Sequence, residues 1–194
     1  MKERMDEQML SDPFERAFFD FLNGDDSATL IVHNSKGDDE VMPVSYFFRD
    51  FDKIPMLEKK ALQACYGHVL DIGAGSGCHS IYLRDKGVDV TAIDIRPGFV
   101  DVMKKRGLKK VINGDVQLLK KGSYDTLLML MNGIGVVGTL EGLDRFLVRA
   151  ESLLRPHGQI LFDSTDLRAH GDRHQVAFES RARAGRYFGE VIFR

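Results

Sequence analysis

Two cysteines, Cys65 and Cys78, are too few to frame a fold with disulfides, and their spacing matches no zinc pattern. No apolar run reaches bilayer-spanning length, and the opening stretch Met1–Glu7 is too charged for a secretory leader. An excess of either charge is also missing: 27 Lys and Arg stand against 29 Asp and Glu, a net charge of −2. Strong non-specific binding to nucleic acid or to an anionic membrane is therefore not implied. The short basic groups Lys104–Arg106, Lys109–Lys110 and Lys120–Lys121 read as solvated helix ends and loops. Internal repeats and low-complexity tracts are absent. What remains is a reduced, cytoplasmic chain of 194 residues, long enough to bury a sizeable core.

The informative stretch is Gly67–Ser80. Val69-Leu70 closes a buried strand, Asp71 follows, and glycines fall at alternate positions, Gly73, Gly75 and Gly77, before helical spacing resumes at Ser80–Arg84. A strand that turns sharply into a helix leaves backbone N–H groups for a ligand, and glycine permits close approach. The spacing departs from the dinucleotide fingerprint Gly-x-Gly-x-x-Gly, whose third glycine would fall at Cys78. A carboxylate at Asp71 would also repel a pyrophosphate at close range, whereas it suits a ligand with an ammonium or sulfonium and no phosphate.

Around this turn the pattern alternates. Strands are expected at Val88–Asp94, Lys110–Asn113, Tyr124–Met131 and Gln159–Asp163, and helices at Met56–Ala64, Pro97–Arg106 and Leu140–Leu154. Continuous apolar strands separated by helices argue an α/β fold, a doubly wound, mostly parallel sheet covered on both faces. Ahead of it, apolar residues from Met9 to Leu22 recur at three and four, an amphipathic helix over Asp6–Leu22 with a restart allowed at Ser11–Asp12–Pro13. Ala28–His33 and Glu40–Phe48 read as a hairpin, with Pro43 keeping its strand at an edge. The division is thus 1–55, a helix-plus-hairpin lid, and 56–194, the nucleotide-binding domain.

Asp94 ends the second strand of the core 17 residues after Gly77, where an acid can accept from a ribose diol. Asp115, after Asn113-Gly114, can accept from a neutral amine. Asn132 lies at the carboxyl end of the Tyr124 strand, with Gly133 and Gly135 beside it, whereas Asp125 opens that strand and reads as structural. His170 and His174 are four apart, but no third ligand accompanies them and no metal is expected. His33, His68 and His79 read as surface or strand-end residues. Tyr46–Arg49 offers either aromatic packing with a surface Arg or a cover whose Arg49 pairs a carboxylate.

The acid-x-Gly-x-Gly-x-Gly run at Asp71–Gly77, with Asp94, Asp115 and the Tyr124–Gly135 and Leu153–Ser164 segments, resembles the class I S-adenosylmethionine-dependent methyltransferases over residues 56–166. The resemblance implies a Rossmann-like fold, S-adenosyl-L-methionine as cofactor, S-adenosyl-L-homocysteine as product, and no named catalytic base. It implies a cofactor site of Asp71, Gly73, Ala74, Gly75, Gly77, Asp94, Ile95, Asp115, Val116 and Asn132. Asn132-Gly133-Ile134-Gly135 departs from the Asn/Asp-Pro-Pro-aromatic run of DNA-amino methyltransferases, so a small-molecule acceptor entering beneath the lid is expected rather than a nucleic acid. The family's sheet normally closes with sixth and seventh strands. Here the polar Arg168–Arg186 stretch leaves room for one more strand, Tyr187–Arg194, so the sheet is expected to be incomplete at its C-terminal end. Two alternatives stand: the chain is a fragment lacking the last strands, or the edge is completed differently, for instance by a homodimer. Two rivals remain: a non-catalytic module that only holds the nucleoside, and a nucleotide-dependent oxidoreductase, for which the glycine spacing and a Tyr-x-x-x-Lys are missing.

Overall fold

The computed structural model of the chain describes residues 12–34, 39–120, 122–165 and 191–193. These fall into two compact units, one within residues 47–164 and the other formed by the described parts of 1–46 and 165–194.

In the second of these, helix α1 (Pro13–Leu22) starts where Asp12 and Pro13 permit it. The Asp12 carboxylate accepts from the backbone N–H of Phe14 at 2.9 Å and of Glu15 at 3.3 Å, and Pro13 takes the first helical position. The part of the expected helix before Asp12 lies outside the described residues. Strands β1 (Thr29–Asn34) and β2 (Asp39–Pro43) pair antiparallel, Thr29 opposite Pro43, as the hairpin reading expects. The second strand stops at Pro43, however, and Val44–Phe48 turns as a 3-10 helix instead of continuing extended. The last described strand, β8 (Val191–Phe193), pairs antiparallel with β1 and not with the parallel sheet.

The other unit carries that parallel sheet. Its strands are β3 (His68–Ile72), β4 (Asp89–Asp94), β5 (Val111–Asn113), β6 (Tyr124–Met129) and β7 (Leu154–Phe162), in the order β5-β4-β3-β6-β7 and all parallel. The order reverses between β3 and β6, and in open α/β sheets ligands bind at the carboxyl ends of the strands at such a switch point. Helices α2 (Met56–Ala64), α3 (Cys78–Asp85), α4 (Pro97–Lys105) and α5 (Leu140–Leu153) cover the sheet.

Alternation along the strands divides the core between the two faces. Leu70, Ile72, Leu127 and Met129 pack with Phe146, Ala150 and Leu153 of α5, while Val69, Leu128 and Leu130 pack with Leu62 of α2 and Leu83 of α3. That is why these strands read as unbroken apolar runs: each successive residue is buried on one side or the other. On α5 the apolar spacing of Phe146, Leu147, Ala150 and Leu153 is not all buried, because Leu147 is 46% exposed. The fifth core strand begins earlier than expected, since Leu154 pairs with Tyr124 before an irregularity restores register at Thr126 and Gln159. Asp125 is structural: its Oδ2 accepts the His68 N–H and an Arg155 Nη1 bond, both at 2.7 Å, tying β3, β6 and β7 together.

Candidate functional site

The glycine turn folds over the end of β4. Gly73 and Ala74 donate their N–H groups to the Ile93 carbonyl at 2.9 and 3.2 Å, and Gly75 donates to Asp94 Oδ2 at 2.9 Å. The N–H groups of Gly73, Ala74 and Gly75 are thus occupied within the protein. The glycines serve geometry instead. Gly75 has φ +56°, and a Cβ there would meet nothing within 4 Å. Gly77 has φ +78°, and a Cβ there would come within 2.7 Å of Leu108 and 2.9 Å of Met103. The first glycine keeps an open face bare, and the second lets α4 and the following loop pack close.

Beside the turn lies a cleft of about 480 Å³ lined by Gly73, Asp94, Ile95, Asp115 and Val116 among others. Five of the ten residues read from the sequence therefore share one cavity. Ile72, Ile93, Arg96, Phe99, Gly114, Gln117, Val136, Val137, Gly142 and Arg145 complete it, and none of these was singled out by the sequence. Most are apolar or backbone contributors of ordinary composition; only their position near the ends of β3, β4 and β5, or in the loop and helix start after β6, marks them.

Asp94 is 6% exposed, and its second oxygen accepts the Arg96 N–H at 2.9 Å. Burial pushes its carboxyl up, partly offset by the N–H groups of Arg96 and Gly75, while Asp71 adds repulsion. Asn113 holds the neighbouring turn in place: its Nδ2 donates to the carbonyls of Asp94 and Ile95, each at 3.1 Å. Asp115 accepts the Gln117 N–H at 2.8 Å and caps a short 3-10 turn. Ile95, 66% exposed, offers an apolar wall.

Asp71, Ala74, Gly75, Gly77 and Asn132 do not line this cleft. Asp71 is 2% exposed and bonds the Ser80 hydroxyl at 2.7 Å, together with the Ser80 backbone, so it fastens the first turn of α3 from the strand below. Burial raises its carboxyl, with His79 and Ser80 acting the other way. Asn132 sits with Met131 in a left-handed pair, φ +59° and +61°, and the Asp163 carboxylate accepts both N–H groups, at 2.7 Å from Asn132 and 3.1 Å from Met131.

A buried ionic group behind the turn was not expected from the sequence. Glu58 on α2 accepts from Arg49 Nη2 at 3.2 and 3.0 Å, and its Oε2 also meets His79 Nε2 at 2.7 Å. All three side chains are at most 6% exposed, so His79 is no surface histidine and Arg49 pairs a carboxylate inside the protein. Burial alone would lower the His79 ring, but Cys78, Glu58 and Asp71 outweigh it and hold it up at about 10. A raised folded value means that this contribution is complete below the unfolded value of about 6.5 and is lost as pH rises towards the folded one. Melting temperature should therefore fall from about pH 7 to about pH 10, with a shallower slope in His79→Gln. Identical slopes in the two proteins would show that the ring is not ionised. His170 and His174 lie outside the described residues; among the described residues no cluster of His, Cys, Asp and Glu could hold a metal ion.

Comparison with known proteins bears on the cleft. Residues 70–162, which hold the glycine turn, Asp94 and Asp115, match the family model described as a methyltransferase domain. A demethylmenaquinone methyltransferase from Tropheryma whipplei is 29% identical over 99 residues, 48% of this chain and 39% of the relative. A cypemycin N-terminal methyltransferase from Streptomyces is 29% identical over 118 residues, 57% of this chain and 48% of the relative. The chain thus spans less than half the length of these curated relatives. The solved structure of an S-adenosylmethionine-dependent methyltransferase from Bacteroides fragilis, in complex with S-adenosyl-L-homocysteine, is 39% identical with a TM-score of 0.78, over 94% of this chain and 74% of that one. With that identity, that coverage and a shared fold, the chain belongs to the S-adenosylmethionine-dependent methyltransferases.

Proposed function

We propose that the chain transfers a methyl group from S-adenosyl-L-methionine to a small-molecule acceptor, with Gly73, Asp94, Ile95, Asp115 and Val116 lining the cofactor site and Asp71, Ala74, Gly75, Gly77 and Asn132 contributing from the segments that flank it. The observation that carries this reading is the cleft that brings Asp94, Asp115, Ile95 and Val116 to the bare glycine turn. Its donor set suits a nucleoside without phosphates. The Asp94 oxygens, each already holding one N–H, retain lone pairs for a ribose diol, and Asp115 can accept from an exocyclic amine. Ile95 and Val116 supply apolar walls for a flat base. Gly75 leaves room for the amino-acid end, and Asp71 acts from below by fixing the start of α3. The bound sulfonium supplies an activated methyl group, so the protein's part is to align the acceptor and exclude water.

The two curated relatives are named for different acceptors, demethylmenaquinone and the N-terminus of cypemycin, so they single out no acceptor for this chain. Incubation with isotopically labelled S-adenosyl-L-methionine and fractionated metabolite pools should label one small-molecule fraction. An intact donor in every pool, from a protein that still binds the product, would favour the non-catalytic module instead. Cys65 and Cys78 are free, which supports a reducing, cytoplasmic setting, and no described helix is long and apolar enough to cross a membrane. Among the described residues β7 is an edge strand, with Phe162 51% exposed, which supports a homodimer through that edge; sedimentation at several concentrations would reveal it.

A further inference from the structure

The buried group behind the glycine turn has no part in the cleft. Arg49, Glu58 and His79 come from three places: the segment after the 3-10 turn Val44–Phe48, helix α2, and the first turn of α3. Replacing such a buried ionic cluster with apolar side chains of similar volume is often neutral or stabilising, so its presence is weak evidence of a role in stability. Its connections suggest another role. His79 stands two residues after Gly77, and its neighbour Ser80 is fastened to Asp71. Phe47, two residues before Arg49, accepts through its carbonyl from the Ser76 hydroxyl at the tip of the turn. Arg106 grips the same tip, donating to the Ser76 carbonyl at 2.7 Å, and its guanidinium lies 4.9 Å from the Phe48 ring centroid. Glu58 joins the two sides, one oxygen meeting both Arg49 and His79.

We infer that Arg49, Glu58 and His79 are positioning residues, which lock the glycine turn and the start of α3 in the arrangement that receives the amino-acid end of the cofactor. The inference rests on the methyltransferase reading above. It distinguishes the two ends of the ligand: the adenosine end rests on Asp94, Ile95 and Asp115, which make no bond to the cluster and meet the turn only through Gly73 and the Gly75–Asp94 bond, whereas the amino-acid end lies against the turn itself and depends on it more.

The test is calorimetric titration of the full chain and of the triple variant Arg49→Met/Glu58→Leu/His79→Leu with S-adenosylhomocysteine and with methylthioadenosine, which lacks the amino-acid part. The melting temperature of each protein is recorded alongside. The expected result is a folded triple variant with a melting temperature at or above that of the original. Its affinity for S-adenosylhomocysteine should be at least about tenfold weaker, with methylthioadenosine affinity changed by less than about threefold. If the triple variant does not fold, the same contrast is expected in Glu58→Gln, which keeps the shape and removes the charge. Equal losses for both ligands, or no loss for either, in whichever variant folds would overturn the inference. If the unaltered protein binds methylthioadenosine and S-adenosylhomocysteine equally well, the amino-acid end makes no contact worth positioning, and the inference fails while the cofactor reading stands. An unaltered protein that binds neither would overturn both.

Discussion

Asp94→Ala should weaken binding of S-adenosylhomocysteine about 30- to 1,000-fold, the equivalent of ~2–4 kcal/mol for two charge-assisted hydrogen bonds to a ribose diol. The geometry adds a cost to the fold as well. Asp94 receives the N–H groups of Gly75 and Arg96, so its removal unhooks the glycine turn from the end of β4 and leaves two backbone donors without their acceptor. A loss of stability of about 1–3 kcal/mol should accompany the binding defect and remain smaller than it. Asp115→Ala removes one bond to a neutral amine and should weaken binding less. Titration calorimetry and urea unfolding on the same samples separate the two effects. Equal losses of affinity and stability for Asp94→Ala would mark the carboxylate as a structural clasp of the turn and nothing more.

Gly75→Val is the second large effect, and its cause is different. A Cβ at Gly75 meets no atom within 4 Å, so the substitution does not collide with the protein. It places a branched side chain at φ +56°, where an L residue is strained by roughly 1–2 kcal/mol and a β-branched one by more. That strain is small beside the apolar packing on either face of β3, so near-native circular dichroism and a modest drop in melting temperature are expected. On the proposed cofactor site, binding should fall below detection, because the side chain would fill the open space in front of Gly75 that the amino-acid end is proposed to take. Unchanged affinity would show that the turn is a connection between β3 and α3 and that the cofactor lies elsewhere. The contrast with Gly77 is instructive, since a Cβ there would press on Leu108 and Met103 and disturb the fold first.

Much of this was legible in the chain because the signals were local. The alternate glycines, the acid ending β4 and the Asn113-Gly114-Asp115 turn each announce a backbone event within a few residues, and parallel strands buried on both faces advertise themselves as apolar runs. Asp12 and Pro13 set the start of α1 by the same kind of local chemistry. Other features depend on partners far apart in sequence. His79 looked like a surface histidine because Glu58, which bonds it, and Arg49, which bonds Glu58, lie 21 and 30 positions earlier. That Asp71 bonds Ser80 nine positions later was likewise not written in its spacing. The N–H groups of Gly73, Ala74 and Gly75 looked available because nothing in the sequence reveals that the Ile93 carbonyl and Asp94 reach them. Strand Val191–Phe193 was visible as a strand, but its pairing with β1 rather than with the parallel sheet is a long-range choice that periodicity does not encode.

The central claim is that the cleft beside the glycine turn takes a nucleoside joined to an amino acid and not a dinucleotide. The most direct measurement is a thermal-shift comparison of saturating S-adenosylhomocysteine and saturating NAD on the same preparation. Stabilisation grows with free ligand over its dissociation constant and reaches about 2.7 kcal/mol at a hundredfold excess. For a unit of this size that corresponds to a rise in melting temperature of several degrees, about 2–8 °C per kcal/mol. S-adenosylhomocysteine should produce such a rise and NAD should produce none. Stabilisation by NAD, with no response to S-adenosylhomocysteine, would contradict the account at its root.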